Sequence, residues 1–266
     1  MDSRAFLRAL YRAAVAAVDP GRLVTEALSR RGNAVVIRSV SDPGRREFVF
    51  VPGRVVLLSV GKAAVLMAAA AHRALGPLVG DSLVIAPAGS PEEDLPPGCR
   101  YLPASHPVPD ERSLSAGRQA LALAAGLRSE DLLLVLLSGG GSSLMALPAD
   151  TVPLADKART VSLLSAAGAP IADVNLVRGA LSRVKAGRLA AAARAADVVT
   201  LVLSDAGDAG WHLVASGPTL GAPPSRRDAL ALLDQYRLLP LVPPAVRSYL
   251  LSPHVENGPG DGGQRW

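Results

Sequence analysis

Four stretches of the chain are aliphatic almost without interruption, and each is only long enough for a single β-strand. They read RVVLLSV (54–60), DSLVIAP (81–87), DLLLVLLS (131–138) and DVVTLVLSD (197–205). A strand with one wet face alternates apolar and polar residues. An unbroken apolar run is instead covered on both faces, the condition of a strand inside a parallel sheet. Helical patterns lie between the runs: KAAVLMAAAAHRAL after the first, SLSAGRQALALAAGL before the third and LADKARTVSLLSAAG after it. Another helical stretch, from about 173 to 195, precedes the fourth run, with Gly179 and Gly187 as candidate breaks. SRRDALALLDQYRL and PPAVRSYLLSP close the pattern as helices. The alternation predicts an α/β fold: a mostly parallel sheet with helices on both faces, a Rossmann-like three-layer sandwich.

The remaining pieces are smaller. Leu7, Leu10, Tyr11, Ala14 and Val18 have helical spacing up to Asp19-Pro20, and AVVIRS (34–39) and EFVF (47–50) read as short strands. The Pro-rich connector from 89 to 113 is long for a compact domain, and such length usually serves function. The tail HVENGPGDGGQRW is polar and Gly-rich, which divides the chain into a folded unit over 1–252 and a linker or disordered end over 253–266. Hydrophobic residues make up 49% of the 266 but aromatics only 3%, so the core must be built from Ala, Leu and Val. No apolar run approaches the roughly 18 residues that span a bilayer. Cys99 is the single cysteine, so the chain has no disulfide framework and suits a reducing cytoplasm. The net charge of +5 is spread over scattered arginines with no basic block and few stacking residues, which argues against a nucleic-acid partner. Of 28 Lys and Arg residues only Lys62, Lys157 and Lys185 are lysines. A lysine is a compact point charge that arginine does not freely replace beside a phosphate oxygen.

In parallel α/β sheets ligands gather at the carboxyl ends of the strands. The unusual residues sit there: SVGK after one run, SGGGSS after another, SDAGD after a third. Ser138-Gly139-Gly140-Gly141-Ser142-Ser143 matches neither standard phosphate fingerprint, because no Lys follows the glycines and Leu144 stands at the third glycine of G-x-G-x-x-G. Consecutive glycines still expose backbone N–H groups ahead of a helix start, and the serines add hydroxyls that can bind an anion or cap the helix. An anion cradle and a plain tight turn both fit. Lys62 follows Gly61 at a predicted helix start, where a cation is unfavourable unless an anion offsets it or water solvates it. Asn175, Arg178, Ser182 and Lys185 recur at spacings of three, four and three, which on a helix form one polar face, either solvated or lining a cleft. Asp205, with Asp208 close by and Ser216-Gly217-Pro218-Thr219 further on, ends a strand; such a carboxylate can hold Mg²⁺, accept a hydroxyl proton or cap a turn. His106 in SHPVPDE reads as a structural histidine. No metal-ligand spacing and no G-x-S-x-G elbow is present.

The ordered set VGKAA, SHPVPDE, LLLVLLSGGGSSLMALP, IADVNLVRGALSRVKAGRLA and LVLSD…GD…ASGPT resembles the N-terminal domain of the glycerate 2-kinase family over roughly residues 4–250. The resemblance implies transfer of the γ-phosphoryl group of ATP to the 2-hydroxyl of D-glycerate with Mg²⁺, in a cleft between two α/β domains. It implies Lys62 as the catalytic or phosphate-stabilising residue and Asp205 as the catalytic and metal partner. It further implies that Ser138, Gly139, Gly140, Gly141, Ser142, Ser143 and Ser216 bind phosphate or the substrate carboxylate, with Arg178, Ser182 and Lys185 lining the site. Two local departures stand out: Ala186 replaces the second residue of a K-G-G triplet, and the segment at Ser204 to Asp208 is one residue short. The family's second domain is absent from this sequence, so a separately encoded domain or a homo-oligomer is the expected partner. A non-catalytic nucleotide- or anion-binding remnant is the alternative.

Overall fold

In the computed structural model, which describes residues 3–39, 46–194, 196–204 and 210–252, the four aliphatic runs stand in one parallel sheet. Helices α1 (Ser3–Ala17) and α2 (Pro20–Ala27) lead into β1 (Leu28–Arg31), β2 (Ala34–Arg38) and β3 (Glu47–Phe50). Then come β4 (Arg54–Val60), α3 (Ala64–Leu75), β5 (Val79–Pro87), β6 (Arg100–Ala104), α4 (Glu111–Ala125) and β7 (Asp131–Leu137). The one-turn α5 (Gly141–Leu144) is followed by α6 (Leu154–Ala166), α7 (Ile171–Ala180), α8 (Arg188–Ala192), β8 (Asp197–Val202), α9 (Arg226–Gln235) and α10 (Pro244–Leu251).

The parallel sheet runs β6-β5-β4-β7-β8. Its central strands have no wet face. In β4 the side chains of Val56, Leu58 and Val60 enter one core and those of Val55 and Leu57 enter another; in β7 Leu133, Val135 and Leu137 divide from Leu132, Leu134 and Leu136 in the same way. The period-two alternation of a strand thus feeds two apolar layers at once, which is why these runs are continuously aliphatic. α3, with β1 and β2, covers one layer, and α4 and α8 cover the other. A third cluster joins Leu164 of α6, Val174 and Val177 of α7, Leu233 of α9 and Val246 of α10.

The three-layer α/β fold is as the sequence predicts, with four local differences. The five-stranded sheet is purely parallel, because β2 pairs with β1 on one side and β3 on the other in a separate antiparallel sheet. The Pro-rich connector contains β6, an edge strand that tolerates Pro103 because its outer side pairs with no strand among the described residues. Asp19-Pro20 ends one helix by starting the next: the Asp19 carboxylate accepts from the Arg22 N–H at 2.7 Å, and Pro20 stands where a helix needs no N–H donor. The long helical stretch breaks between α7 and α8. There Arg183, Ala186 and Gly187 give their N–H groups to Leu147, Ser216 and Gly217 carbonyls at 2.9, 3.0 and 2.8 Å instead of continuing the helical ladder.

Strand order reverses direction beside β4: the chain moves outward through β5 and β6, then returns to add β7 and β8 on the other side. Crevices at such reversals are where open α/β sheets hold ligands. The segments that follow β4 and β7 meet at this one.

Candidate active site

The two strand ends are locked together by backbone. Lys62 N–H donates to the Gly139 carbonyl at 2.9 Å, Ser138 N–H to the Val60 carbonyl at 3.0 Å, and Ala63 N–H to Ser138 Oγ at 3.1 Å. Gly61 has to be glycine here: its φ is +134°, and a Cβ would run into the Ser138 side chain and lie 2.6 Å from its carbonyl oxygen. Gly140 (φ +89°) sits against His106 and Lys62, where a Cβ would come within 3.0 Å of His106 Cδ2 and 3.2 Å of Lys62 Cγ. The glycines therefore let three segments converge, bringing the exposed Lys62 side chain beside His106. Burial, and then the charge of Lys62, hold the His106 imidazole below its usual pKa. Ser143 Oγ donates to the Pro107 carbonyl at 2.6 Å and pins the loop carrying that histidine.

The serines do not cap the following helix. Gly140 is the N-cap of α5, with no side-chain cap bond, and α5 is a single turn with little dipole of its own. Ser142 instead reaches across to Ser216, Oγ to Oγ at 2.8 Å. Arg178 Nη1 donates to Asn175 Oδ1 at 2.8 Å and to Ser216 Oγ at 3.3 Å, while the Ser216 hydroxyl donates to Asn175 Oδ1 at 3.0 Å. Ser216 lies in a run of three left-handed residues, Ala215 (φ 54°), Ser216 (φ 62°) and Gly217 (φ 57°). A non-glycine residue in that region costs on the order of 1 kcal/mol or more and persists only where its surroundings hold it. Lys185 supplies part of the hold: its amine donates to the Ala215 carbonyl at 3.3 Å and the Met145 carbonyl at 3.2 Å.

Lys185 is 1% exposed, and burial followed by the charge of Arg178 brings its pKa down to about 7. Burial likewise depresses Arg178. Ala186 adopts φ 51° beside Gly187 at 76°, which puts a methyl-bearing residue in the left-handed region. What the arrangement can do chemically follows from its charge. It offers N–H, hydroxyl and cationic donors from several elements, the equipment for binding an oxyanion.

A sequence profile described as a domain of unknown function, DUF4147, matches residues 6–251. The chain belongs to the DUF4147 family. A glycerate 2-kinase from Pyrococcus horikoshii is 33% identical over 258 residues, 97% of this chain and 55% of that protein. A relative from Agrobacterium vitis with the provisional name of a hydroxypyruvate reductase is 37% identical over 89% of this chain and 49% of its own length. The solved structure of the PH0495 protein from Pyrococcus horikoshii superposes with a TM-score of 0.80 at 33% identity, covering 94% of this chain and 55% of that one. The chain spans about half the length of these relatives.

Within this DUF4147 domain the expected residues separate into groups. Lys62, Gly139, Gly140, Ser142, Ser143, Arg178 and Ser216 converge around the crevice. Gly141 supports it by packing under Ala215, to which its own Cβ would come within 2.7 Å. Ser138 is buried with its Oγ accepting from Ala63, and it joins the two strand ends. Ser182 is not on a helical face with Arg178: it lies past the end of α7, buried, and donates to the Leu147 carbonyl at 3.2 Å. Lys185, likewise beyond α7, acts from below through the carbonyls it binds. Asp205 and Asp208 lie outside the described residues, as does the 253–266 tail. Among the described residues no three His, Cys, Asp or Glu side chains gather to hold a metal, and no helix is long and apolar enough to cross a membrane. Two residues at the crevice went unassigned from sequence. His106 was hidden because the residues it meets follow other strands. Asn175 showed its spacing but not its partner Ser216.

Proposed function

We propose that this chain supplies the phosphate-binding and acceptor-activating half of a glycerate kinase, transferring the γ-phosphoryl group of ATP to the 2-hydroxyl of D-glycerate. The observation that carries the reading is the convergence of Lys62, the 139–143 loop and the Arg178–Ser216–Asn175 network at the point where the strand order reverses. Phosphoryl transfer asks a protein mainly for positioning and positive charge around the moving group, and this crevice is built of those parts. The glycerate 2-kinase relative points to the same chemistry. An oxidoreductase reading gains no support from the loop, whose third glycine position is Leu144.

In this reading the loop N–H groups and Ser142 orient a phosphate or the acceptor carboxylate. Lys62, exposed and free to swing, stabilises charge building on the transferred group. Arg178 holds an oxygen from the α7 side. ATP would lie against Lys62 and the 139–143 backbone. Mg²⁺ would neutralise phosphate charge when bound, and Asp205 is the residue proposed to hold it. The chain spans about half the length of its relatives, and the facing wall would come from sequence outside residues 1–266 or from a second copy.

The test is D-glycerate phosphorylation by the purified chain with ATP and Mg²⁺, alone and with a candidate second domain. Turnover that drops by about a hundredfold or more in Lys62→Ala supports the reading, on the scale of losing one electrostatic stabiliser. Turnover unaffected by that change removes Lys62 from the chemistry. Nucleotide or phosphate binding without turnover in either condition favours the non-catalytic remnant.

A further inference from the structure

Lys157 stands in the first turns of α6, only 5% exposed, and its amine has no hydrogen-bond partner among the described residues. Burying an unpartnered amine costs several kcal/mol against leaving it in water, so such positions are ordinarily Leu or Met. The surroundings raise the cost. Lys185, Arg178 and Arg188 are all close enough to repel the Lys157 charge. None of the four makes an ion pair among the described residues, where the acidic side chains in bridges serve other partners: Asp150 holds Arg183, and Asp131 and Asp81 hold Arg54. Arg188 reaches only a backbone carbonyl, that of Gly179 at 2.8 Å. Lys185 likewise has carbonyls alone, and Arg178 has Asn175 and Ser216. Four basic side chains from three segments therefore lie close together, and none of them is matched by a carboxylate among the described residues.

We propose that Lys157, Arg178, Lys185 and Arg188 form one enclosed oxyanion site behind the glycine loop, in which Lys157 is a ligand-binding residue. The missing negative charge is a carboxylate or phosphate group of a small molecule. The choice between the acceptor acid and the nucleotide rests on the kinase reading, whereas the site itself does not. Arg178 is the link, because it belongs to this cluster and also touches Ser216 at the crevice. An oxyanion entering past Ser216 meets Arg178 first, and Lys157 offers three unused donors to its remaining oxygens.

The experiment measures binding of inorganic phosphate, D-glycerate and ADP, each alone, to the intact chain by titration calorimetry, with no turnover required. Lys157→Met keeps the length of the side chain and removes its charge. The expected result is at least a tenfold rise in Kd for one of the three, with the empty variant melting at or above the temperature of the unaltered chain. Loss confined to D-glycerate assigns the site to the acceptor carboxylate; loss confined to phosphate and ADP assigns it to the nucleotide. If Lys157→Met does not fold, Lys157→Gln replaces it and the same rise is expected. Unchanged affinities in the variant overturn the inference while leaving the kinase reading intact. An unaltered chain that binds none of the three overturns both.

Discussion

Lys185 carries the plainest conflict between what a side chain is and where it sits. Two carbonyls satisfy two of its donors, yet neither brings a full negative charge to match the ammonium. Its pKa falls from 10.5 to about 7, through burial first and Arg178 second. The unfolded chain therefore holds this proton up to about 10.5 and the folded chain releases it near 7, so across that window the unfolded state binds more protons and stability rises with pH. Below about 7 the full cost of a buried ammonium is present; above 10.5 it is gone. Lys185→Met is expected to show its greatest advantage, or smallest deficit, in urea unfolding near pH 6. That difference from the unaltered chain should then shift by roughly 3–5 kcal/mol in the unaltered chain's favour by pH 10. A difference flat with pH would mean that the amine stays charged inside the protein.

At the scale of elements, one arginine ties the amino ends of three strands. Arg54 in β4 donates through Nε and Nη2 to the two oxygens of Asp131 in β7, at 3.0 and 3.1 Å, and through Nη1 to Asp81 in β5 at 2.9 Å. Asp131 has a side chain 1% exposed and is held below its usual pKa chiefly by the Arg54 hydrogen bond. Arg54→Met should cost about 1–2 kcal/mol at neutral pH, discounted because the arginine is 39% exposed. A lowered carboxyl pKa contributes stability above the unfolded value of 3.8, lost as pH falls through the folded one. The gap between variant and unaltered chain should thus close in acid denaturation below about pH 4; a gap that persists there means the loss is packing rather than charge. These central strands were the most legible part of the sequence, because burial on both faces writes an aliphatic run that no helix boundary disturbs. β6 was not legible: an edge strand needs neither continuous apolarity nor every N–H, so Tyr101 to Pro103 looked like connector. The break after α7 was hidden for the opposite reason. Leu181 to Gly187 reads in sequence as a continuation of the helix, but the carbonyls of Leu147, Ser216 and Gly217 take the N–H groups of Arg183, Ala186 and Gly187.

The whole molecule sets what chemistry can be clean. Single positions showed which residues could bind an anion, and the sheet order showed that Lys62 and the glycine loop would meet. Neither could show Ser142 bonded to Ser216 or Lys157 within reach of the Lys185 charge, since those pairs join segments far apart in the chain. The resulting crevice is firm in one part and open in another: Lys185 is buried and Arg178 half-buried, while Lys62 is exposed. A phosphoryl group held by an open crevice can be taken by water as well as by the acceptor hydroxyl, because closure is what excludes solvent at the moment of transfer. If the proposed kinase chemistry proceeds on this chain by itself, ADP formed should exceed phosphoglycerate formed, and omitting D-glycerate should leave part of the ADP production standing. Adding the facing domain should bring the two products toward equality. Coupled assays of ADP, alongside direct quantification of phosphoglycerate, measure that ratio. Equal yields from the isolated chain would mean that its own loops close the site, and that the facing wall is not needed to keep water out.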